Sequence, residues 1–183
     1  MKNTLHLICI LLLFAACKSP EARRPVSQKS GTRFDKSIAL NKKRIAIEEA
    51  EIQKIIELDD SREYFATEGG FWYTYEERDS IATQTPMVGD LVSFNYDLST
   101  LIGNSIMSTE EVGDQVYQID QSNQDLISGI REGLKLMKEG ETITVLLPSH
   151  KAYGYYGFED KIGSNVGIRS TITLNKIKTK TDD

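Results

Sequence analysis

The sequence has 183 residues and a formal net charge of −5, with 39% hydrophobic and 27% charged side chains. This length allows one domain with extensions, and the composition is that of an ordinary globular chain. No run of Lys and Arg interleaves with aromatic residues, so the sequence predicts no nucleic-acid binding. It also lacks Cys/His clusters, a glycine-rich phosphate loop and a Gly-x-Ser-x-Gly motif, so metalloenzyme, nucleotide-enzyme and hydrolase functions are not indicated and no cofactor is expected.

The first residues have the order of a secretory signal peptide. Lys2 precedes an apolar run over residues 5–14, which is too short to span a membrane, and two alanines come directly before Cys17. The sequence FAAC resembles a bacterial lipobox, whose cysteine is acylated and becomes the new N-terminus. We therefore predict a signal peptide over residues 1–16, lipidation of Cys17 and a flexible, lipid-anchored tether over residues 17–34. An ordinary signal peptide cut nearby, which would leave a free thiol, is the alternative.

A long helix is predicted over residues 35–58, with Asp35 as its N-cap. Two narrow apolar stripes follow nearly opposite faces of it, one with Ile38, Ile45, Ile52 and Ile56, the other with Leu40, Ile47 and Leu58. We interpret residues 35–66 as an N-terminal extension whose helix is partly solvated and packs against its own domain. Docking on a partner, or dimerisation through the helix, is the alternative.

Short segments with the alternation of β-strands come next. In the first, residues 71–75, Trp72 and Thr74 share a face. Its aromatic cluster is either the edge of a core, which we favour, or a platform for a peptide. The other strands are predicted over residues 91–98, 115–120, 141–147 and 169–178, with a hairpin connection at Gly103-Asn104.

One short helix interrupts these strands. Its apolar stripe consists of Ile127, Ile130, Leu134 and Met137, Ser122 or Asn123 is a candidate for its cap, and Gly140 is placed to end it in a left-handed conformation. After the strand over residues 141–147, Pro148 begins a loop that carries several tyrosines. Strands broken by one helix indicate an α+β fold with an antiparallel sheet.

Three phrases carry a resemblance to a known family: GDLVSFNYDL (residues 89–98), LISGIREGLKLMKEGE (residues 126–141) and KAYGYYG (residues 151–157). In this order and spacing they resemble the FKBP-type peptidyl-prolyl isomerases, over about residues 86–178. The resemblance implies that residues 67–183 form an isomerase domain, with a curved antiparallel sheet of five or six strands half-wrapped around one short helix.

The phrases GGFWYTYEERDS, STEEVG and YGYYGFEDKIGSNVG further resemble the gliding-motility-associated isomerase lipoproteins of Bacteroidetes-type bacteria. That similarity implies a lipoprotein in the cell envelope, anchored to a membrane and facing the periplasm. Its expected partners are proline-containing polypeptide clients, for which it acts as a folding helper during export.

The resemblance also implies the site residues. Tyr96 and Tyr153 are the expected catalytic residues: Tyr96 forms an aromatic wall, and the phenol of Tyr153 donates a hydrogen bond to the amide carbonyl. The backbone N–H of Ile127 is expected to hold a substrate carbonyl. The remaining residues expected to bind substrate are Ile106, Met107, Tyr117, Leu126, Ile130, Val166 and Leu174.

Two of these positions depart from the family pattern. Met107 stands where the family commonly has an Asp that pairs with a tyrosine, and Ile130 stands where many members carry a Trp floor. Methionine is adaptable, so a less polar and more open pocket is expected. Two hypotheses follow: a prolyl isomerase of reduced strength, or an FKBP-like binding or scaffold lipoprotein that has lost activity.

Overall fold

The structure is a computed structural model that describes residues 31–79, 81, 84–121 and 125–179, with side chains from residue 34. The chain divides into two compact units, Met1–Ser37 and Ile38–Asp183. Of the first unit the structure describes only the start of a helix. Cys17 and the candidate caps Ser122 and Asn123 lie outside the described residues.

Helix α1 spans Gly31–Leu58, so its end agrees with the sequence prediction and its start does not. Asp35 is an interior residue of the helix and not its N-cap, and the first turn lies in the segment predicted to be tether. Because residues 31–34 contain no proline, nothing prevents the helical backbone from extending beyond the predicted start.

The two faces of α1 differ in burial within the second unit. Ile52 has no exposed surface and Glu48 is buried, whereas Leu40, Ile47 and Leu58 are exposed. One face of the helix therefore packs against its own domain, as the favoured interpretation predicts, and the second apolar stripe faces solvent. Within the described ranges, no helix combines the length and apolar character needed to cross a bilayer.

Eight strands form one antiparallel sheet. In chain order they are β1 (Phe65–Ala66), β2 (Trp72–Glu77), β3 (Leu91–Tyr96), β4 (Leu98–Thr100), β5 (Ser105–Met107), β6 (Gln115–Gln118), β7 (Thr142–Leu147) and β8 (Ile168–Lys178). The order across the sheet is β1-β2-β7-β8-β3-β6, and the β4–β5 hairpin attaches to β8. The predicted α+β class with an antiparallel sheet is confirmed.

The sheet has more strands than the resemblance implies, because the strand predicted over residues 91–98 is interrupted at Asp97. There the Asp97 side chain accepts a hydrogen bond from the N–H of Thr171 at 2.6 Å, and its carbonyl accepts one from Ser170 Oγ at 2.7 Å. The main path keeps six strands, and the hairpin after the interruption adds β4 and β5. The hairpin turns at Gly103, as predicted, with a φ of +92°.

A four-residue helix, α2 (Thr109–Val112), was not predicted from the sequence. Its signal is a capping box: Ser108 Oγ accepts from the N–H of Glu111, and the Glu111 side chain accepts from the N–H of Ser108. Such a short helix shows too little apolar periodicity to be found by that criterion.

Helix α3 (Ser128–Leu134) lies against one face of β7 and β8. Ile130, Leu134 and Met137 are completely buried in the core, as predicted. The helix is shorter than predicted, however: Ile127 is its N-cap and Lys135 its C-cap, so Met137 and Gly140 lie beyond its end. The helix comes so close to the sheet that a Cβ on Gly129 would lie 2.4 Å from Leu147 Cδ2. A side chain at this point would require the Leu147 side chain to move, so the glycine permits this close approach of α3 to the sheet.

Candidate active site

A pocket of about 300 Å³ opens where β3 and β6 meet the entrance to α3. Its lining consists of Phe94, Tyr96, Gln115, Val116, Tyr117, Asp125 and Leu126. Three of the predicted site residues, Tyr96, Tyr117 and Leu126, are thus brought together by three different elements. The remaining described candidates pack on the same core or lie inside it, with Val166 the exception.

Strand alternation places Tyr96 in the pocket. Val92, Phe94 and Tyr96 occupy alternate positions of β3 and point to the same face, and the first two are fully buried. The rings of Phe94 and Tyr96 are stacked, with centroids 5.9 Å apart. Burial raises the pKa of the Tyr96 phenol, so this side chain stays neutral at physiological pH.

Tyr153 follows the 3-10 turn Ser149–Lys151, on the loop predicted to present tyrosines. Burial, and secondarily the nearby Tyr96, raise the pKa of Tyr153 to about 12. Tyr96 is the second cause of this rise, so the two predicted catalytic residues lie near each other, although Tyr153 is not among the residues that line the pocket. At neutral pH the Tyr153 hydroxyl is therefore a protonated donor in a partly dehydrated environment.

Tyr117 supplies a second hydroxyl. Its Oη is buried and has no hydrogen-bond partner among the described residues. Leaving a buried hydroxyl without any partner generally costs about 1–3 kcal/mol. A ligand oxygen that accepts from this hydroxyl would remove that cost, so Tyr117 fits a binding role as well as the role of an apolar wall.

The other candidates fall into three groups. Ile106 and Met107 on β5, and Ile127 at the N-cap of α3, are half-buried against the same core. Ile130 and Leu174 have no exposed surface and support the site from within the core. Val166 is 38% exposed in the turn before β8 and is not among the pocket-lining residues.

Four pocket residues and one supporting residue were missed in the sequence. Phe94, Gln115, Val116 and Asp125 line the pocket, and the ring of Phe158 packs on Tyr153. Phe94 lies two residues before Tyr96 on the same strand face, and Gln115 and Val116 directly precede Tyr117. Their proximity in sequence to predicted site residues was therefore the signal that could have identified them. For Asp125, at the end of a polar connection, the sequence pattern gave no signal.

The sequence profile of the family described as FKBP-type peptidyl-prolyl cis-trans isomerase matches residues 82–175. A probable FKBP-type peptidyl-prolyl cis-trans isomerase FkpA of Neisseria meningitidis is 33% identical over 93 residues, which are 50% of this chain and 33% of the relative. Peptidyl-prolyl cis-trans isomerase FKBP9 of Homo sapiens is 32% identical over 86 residues, which are 47% of this chain and 15% of that protein. The matched segment thus spans a third or less of the length of these curated relatives.

Solved structures share the fold. FkpA from Escherichia coli superposes with a TM-score of 0.58 at 22% identity, covering 97% of this chain and 82% of that one. A peptidyl-prolyl cis-trans isomerase from Pseudomonas syringae gives a TM-score of 0.56 at 19% identity, covering 73% and 96%. At these identities the likeness concerns the fold, and it confirms the FKBP-like architecture. With the profile matching just over half of its length, the chain belongs to the FKBP-type peptidyl-prolyl cis-trans isomerase family.

Proposed function

We propose that this protein catalyses cis–trans isomerisation of Xaa-Pro bonds in polypeptides, in the pocket formed by Tyr96, Tyr117 and Leu126. The observation that carries the proposal is the position of Tyr153, a half-buried phenol that packs on the same core as Tyr96 and Tyr117. It supplies a neutral hydrogen-bond donor beside aromatic side chains, as this reaction requires.

The chemistry needs neither a nucleophile nor a metal ion. Rotation about the prolyl amide meets a barrier of roughly 18–20 kcal/mol, which comes from the partial double bond of the amide. The twisted transition state has lost conjugation and is less polar than the planar amide, so an apolar site favours it. A thousandfold acceleration requires about 4 kcal/mol of differential binding, and burial with one or two well-placed hydrogen bonds is sufficient for that.

The side chains divide this work in the proposed complex. The ring of Tyr96, backed by the buried ring of Phe94, receives the proline ring. The Tyr153 hydroxyl donates to the carbonyl of the twisted amide, and the Tyr117 hydroxyl offers a second donor to the bound peptide. The Tyr117 hydroxyl is buried and Tyr153 is half-buried, so each hydrogen bond gained in the transition state counts for more than it would at an exposed site.

A binding or scaffold role without catalysis is the second candidate, and Met107 favours it. This half-buried side chain on β5 stands where the family pattern has a carboxylate, so the pocket lacks one polarising group. A pocket of this kind retains affinity for apolar peptides through its aromatic walls. Weak catalysis and pure binding then differ only in whether the twisted amide is bound more tightly than the planar one.

A kinetic comparison tests the isomerase proposal. Wild type, Tyr153→Phe and the control Tyr156→Phe are assayed with an Xaa-Pro peptide, since Tyr156 is 94% exposed on the same loop. Loss of the Tyr153 hydroxyl should lower kcat/KM by roughly one to two orders of magnitude, and the control should be unchanged. If wild type binds the peptide but does not accelerate its isomerisation, catalysis is excluded and the binding role stands.

We also propose that the protein is a lipoprotein of the cell envelope that faces the periplasm and assists the folding of exported or gliding-motility proteins. The support is the FAAC sequence before and at Cys17 and the similarity of the tyrosine-loop phrase to the gliding-motility group. Two acyl chains hold a protein stably on a membrane, whereas one does not. Cys17→Ser should move the protein out of the membrane fraction or leave it unprocessed; identical fractionation of both forms as soluble protein contradicts the proposal.

A second copy of this chain is the partner we propose for the exposed stripe of α1. Leu40, Ile47 and Leu58 lie outside the face that packs on the domain, and identical chains most often pair symmetrically. Replacing Leu40 and Ile47 together by Glu should convert a dimer into a monomer in sedimentation experiments. A monomeric wild type at high protein concentration contradicts this assignment.

A further inference from the structure

Ser149, at the start of the 3-10 turn, is held by a residue 101 positions earlier in the chain. The N–H of Ser149 donates to Glu48 Oε2 at 2.7 Å, and its Oγ donates to Glu48 Oε1 at 2.8 Å. Both residues are buried, with 8% and 4% of their surfaces exposed. Helix α1 thus supplies both oxygens of one carboxyl group to this turn, where water does not replace them.

The same serine holds the backbone on both sides of Tyr153. Its carbonyl oxygen accepts from the N–H of Ala152 at 3.0 Å and from the N–H of Gly154 at 2.8 Å. Tyr153 lies between these two donors, so the position of Ser149 sets the position of the tyrosine's backbone. Glu48 is therefore connected to the backbone on both sides of the proposed catalytic donor through one intermediate residue, Ser149.

A second contact from α1 reaches Gly154 from the other side. Arg44 Nη1 donates to Asn165 Oδ1 at 2.7 Å, and the N–H of Asn165 donates to the carbonyl of Gly154 at 2.7 Å. Arg44 and Glu48 are one helical turn apart, on the same side of α1. Both polar groups of Gly154 are thus connected to α1 through a single intermediate residue.

We propose that α1 positions the Tyr153 loop for catalysis and that Glu48 and Arg44 are positioning residues of the active site. The expected effect on catalysis rests on the proposed isomerase function. The restraint of the Tyr153 loop by α1 does not. A displacement of a catalytic group by about 1 Å can cost a hundredfold in rate, so restraints on a loop donor matter even when they never touch substrate. The N-terminal extension is then a working part of the isomerase and not only a spacer.

Amide hydrogen exchange tests the structural half without reference to activity. In Glu48→Ala, exchange at Ala152 and Gly154 should become about tenfold faster, because the serine that accepts from both amides is released. Glu51→Ala is the matched control, since Glu51 is exposed on the same helix and should leave this exchange unchanged. Unaltered protection at both amides in Glu48→Ala overturns the proposal.

Arg44→Ala gives an independent measurement in case Glu48→Ala does not fold. Arg44 is exposed, so its removal should leave the fold intact while exchange at the Asn165 amide accelerates; Lys43→Ala is its control. If neither arginine nor glutamate removal changes exchange in the loop, α1 does not position it.

A double-mutant cycle tests the kinetic half. If Glu48 acts through Tyr153, Glu48→Ala should lower kcat/KM about five- to tenfold in the wild-type background and less than twofold in the Tyr153→Phe background. Glu48→Gln, which keeps one acceptor oxygen, should be intermediate. Equal losses in both backgrounds show a general structural effect and overturn the positioning role. A wild type without isomerase activity refutes the proposed function instead, and hydrogen exchange still decides whether the loop is positioned by α1.

Discussion

The ring of Tyr153 rests on the ring of Phe158, with centroids 4.8 Å apart and planes tilted by 34°. This contact restrains the phenol from within its own loop, independently of the backbone contacts that Ser149 makes. It leads to the first prediction, because Phe158 itself does not line the pocket and so acts on catalysis only through the tyrosine.

Phe158→Ala should lower kcat/KM severalfold and destabilise the protein by at least the 0.5–1.5 kcal/mol or so attributed to an aromatic pair beyond its buried area. The loss should be smaller in the Tyr153→Phe background. Tyr155→Ala, at an exposed residue of the same loop, is the control and should change neither quantity. Peptide kinetics and urea unfolding provide the measurements, and unchanged kinetics in Phe158→Ala would show that the ring contact is not needed.

The raised pKa of Tyr153 predicts an alkaline stability change. The folded state holds the phenolic proton more tightly than the unfolded state does, so stability is fully present below the unfolded pKa near 10 and is lost as pH rises toward about 12. Denaturant unfolding between pH 9 and 12 should therefore show a shallower decline for Tyr153→Phe than for wild type. Equal slopes for the two proteins would mean that Tyr153 titrates normally.

Met107→Asp restores the carboxylate of the family pattern and tests why the site departs from it. The candidate donors for the new carboxylate are the hydroxyl of Tyr96 and the buried hydroxyl of Tyr117, which has no partner among the described residues. If one of them pairs with it, isomerase activity or affinity for the peptide should rise. If neither does, the unpaired buried charge should lower the unfolding free energy instead. Met107→Asn is the control: Asn is similar in size to Asp but uncharged, so it separates the effect of the charge from the effect of the shape.

Ile52→Ala measures how strongly α1 is held on the domain. Ile52 has no exposed surface, so its truncation should cost about 2–4 kcal/mol in unfolding free energy, as for other buried isoleucines. Ile47→Ala removes the same atoms from the exposed stripe of the same helix and, at protein concentrations where the chain is monomeric, should cost well under half as much. Similar small losses at both positions would show that α1 does not contribute to the folded core.

Local patterns were sufficient for most of the scaffold. Alternation in β3 placed Val92, Phe94 and Tyr96 on one face, and helical spacing placed Ile130 and Leu134 in the core. These residues face the core because the spacing of the apolar residues matches the repeat of the strand or helix backbone. That spacing is visible in the local sequence alone.

The local sequence pattern does not predict which distant polar groups pair with each other. Glu48 is one of many charged residues on a polar helix, and Ser149 is one of several serines near a turn. Their contact depends on how α1 packs against the turn that follows β7, which neither residue reveals by itself. The capping box of α2 is different: Ser108 and Glu111 are three residues apart, so this motif could have been recognised in the sequence.

The pairing of β2 with β7 also bears on where this protein can be divided. The segment shared with the family begins at residue 82, after β2 has ended, yet Trp72, Tyr73 and Thr74 pair with Leu146, Val145 and Thr144 of β7. A fragment trimmed to the shared segment would expose the hydrogen-bonding edge of β7, a hydrophobic strand with the sequence TITVLL. Unprotected edges of this kind join with one another, so such a fragment should form aggregates. The boundary of sequence similarity therefore falls inside the structural unit, and soluble expression requires the residues upstream of it.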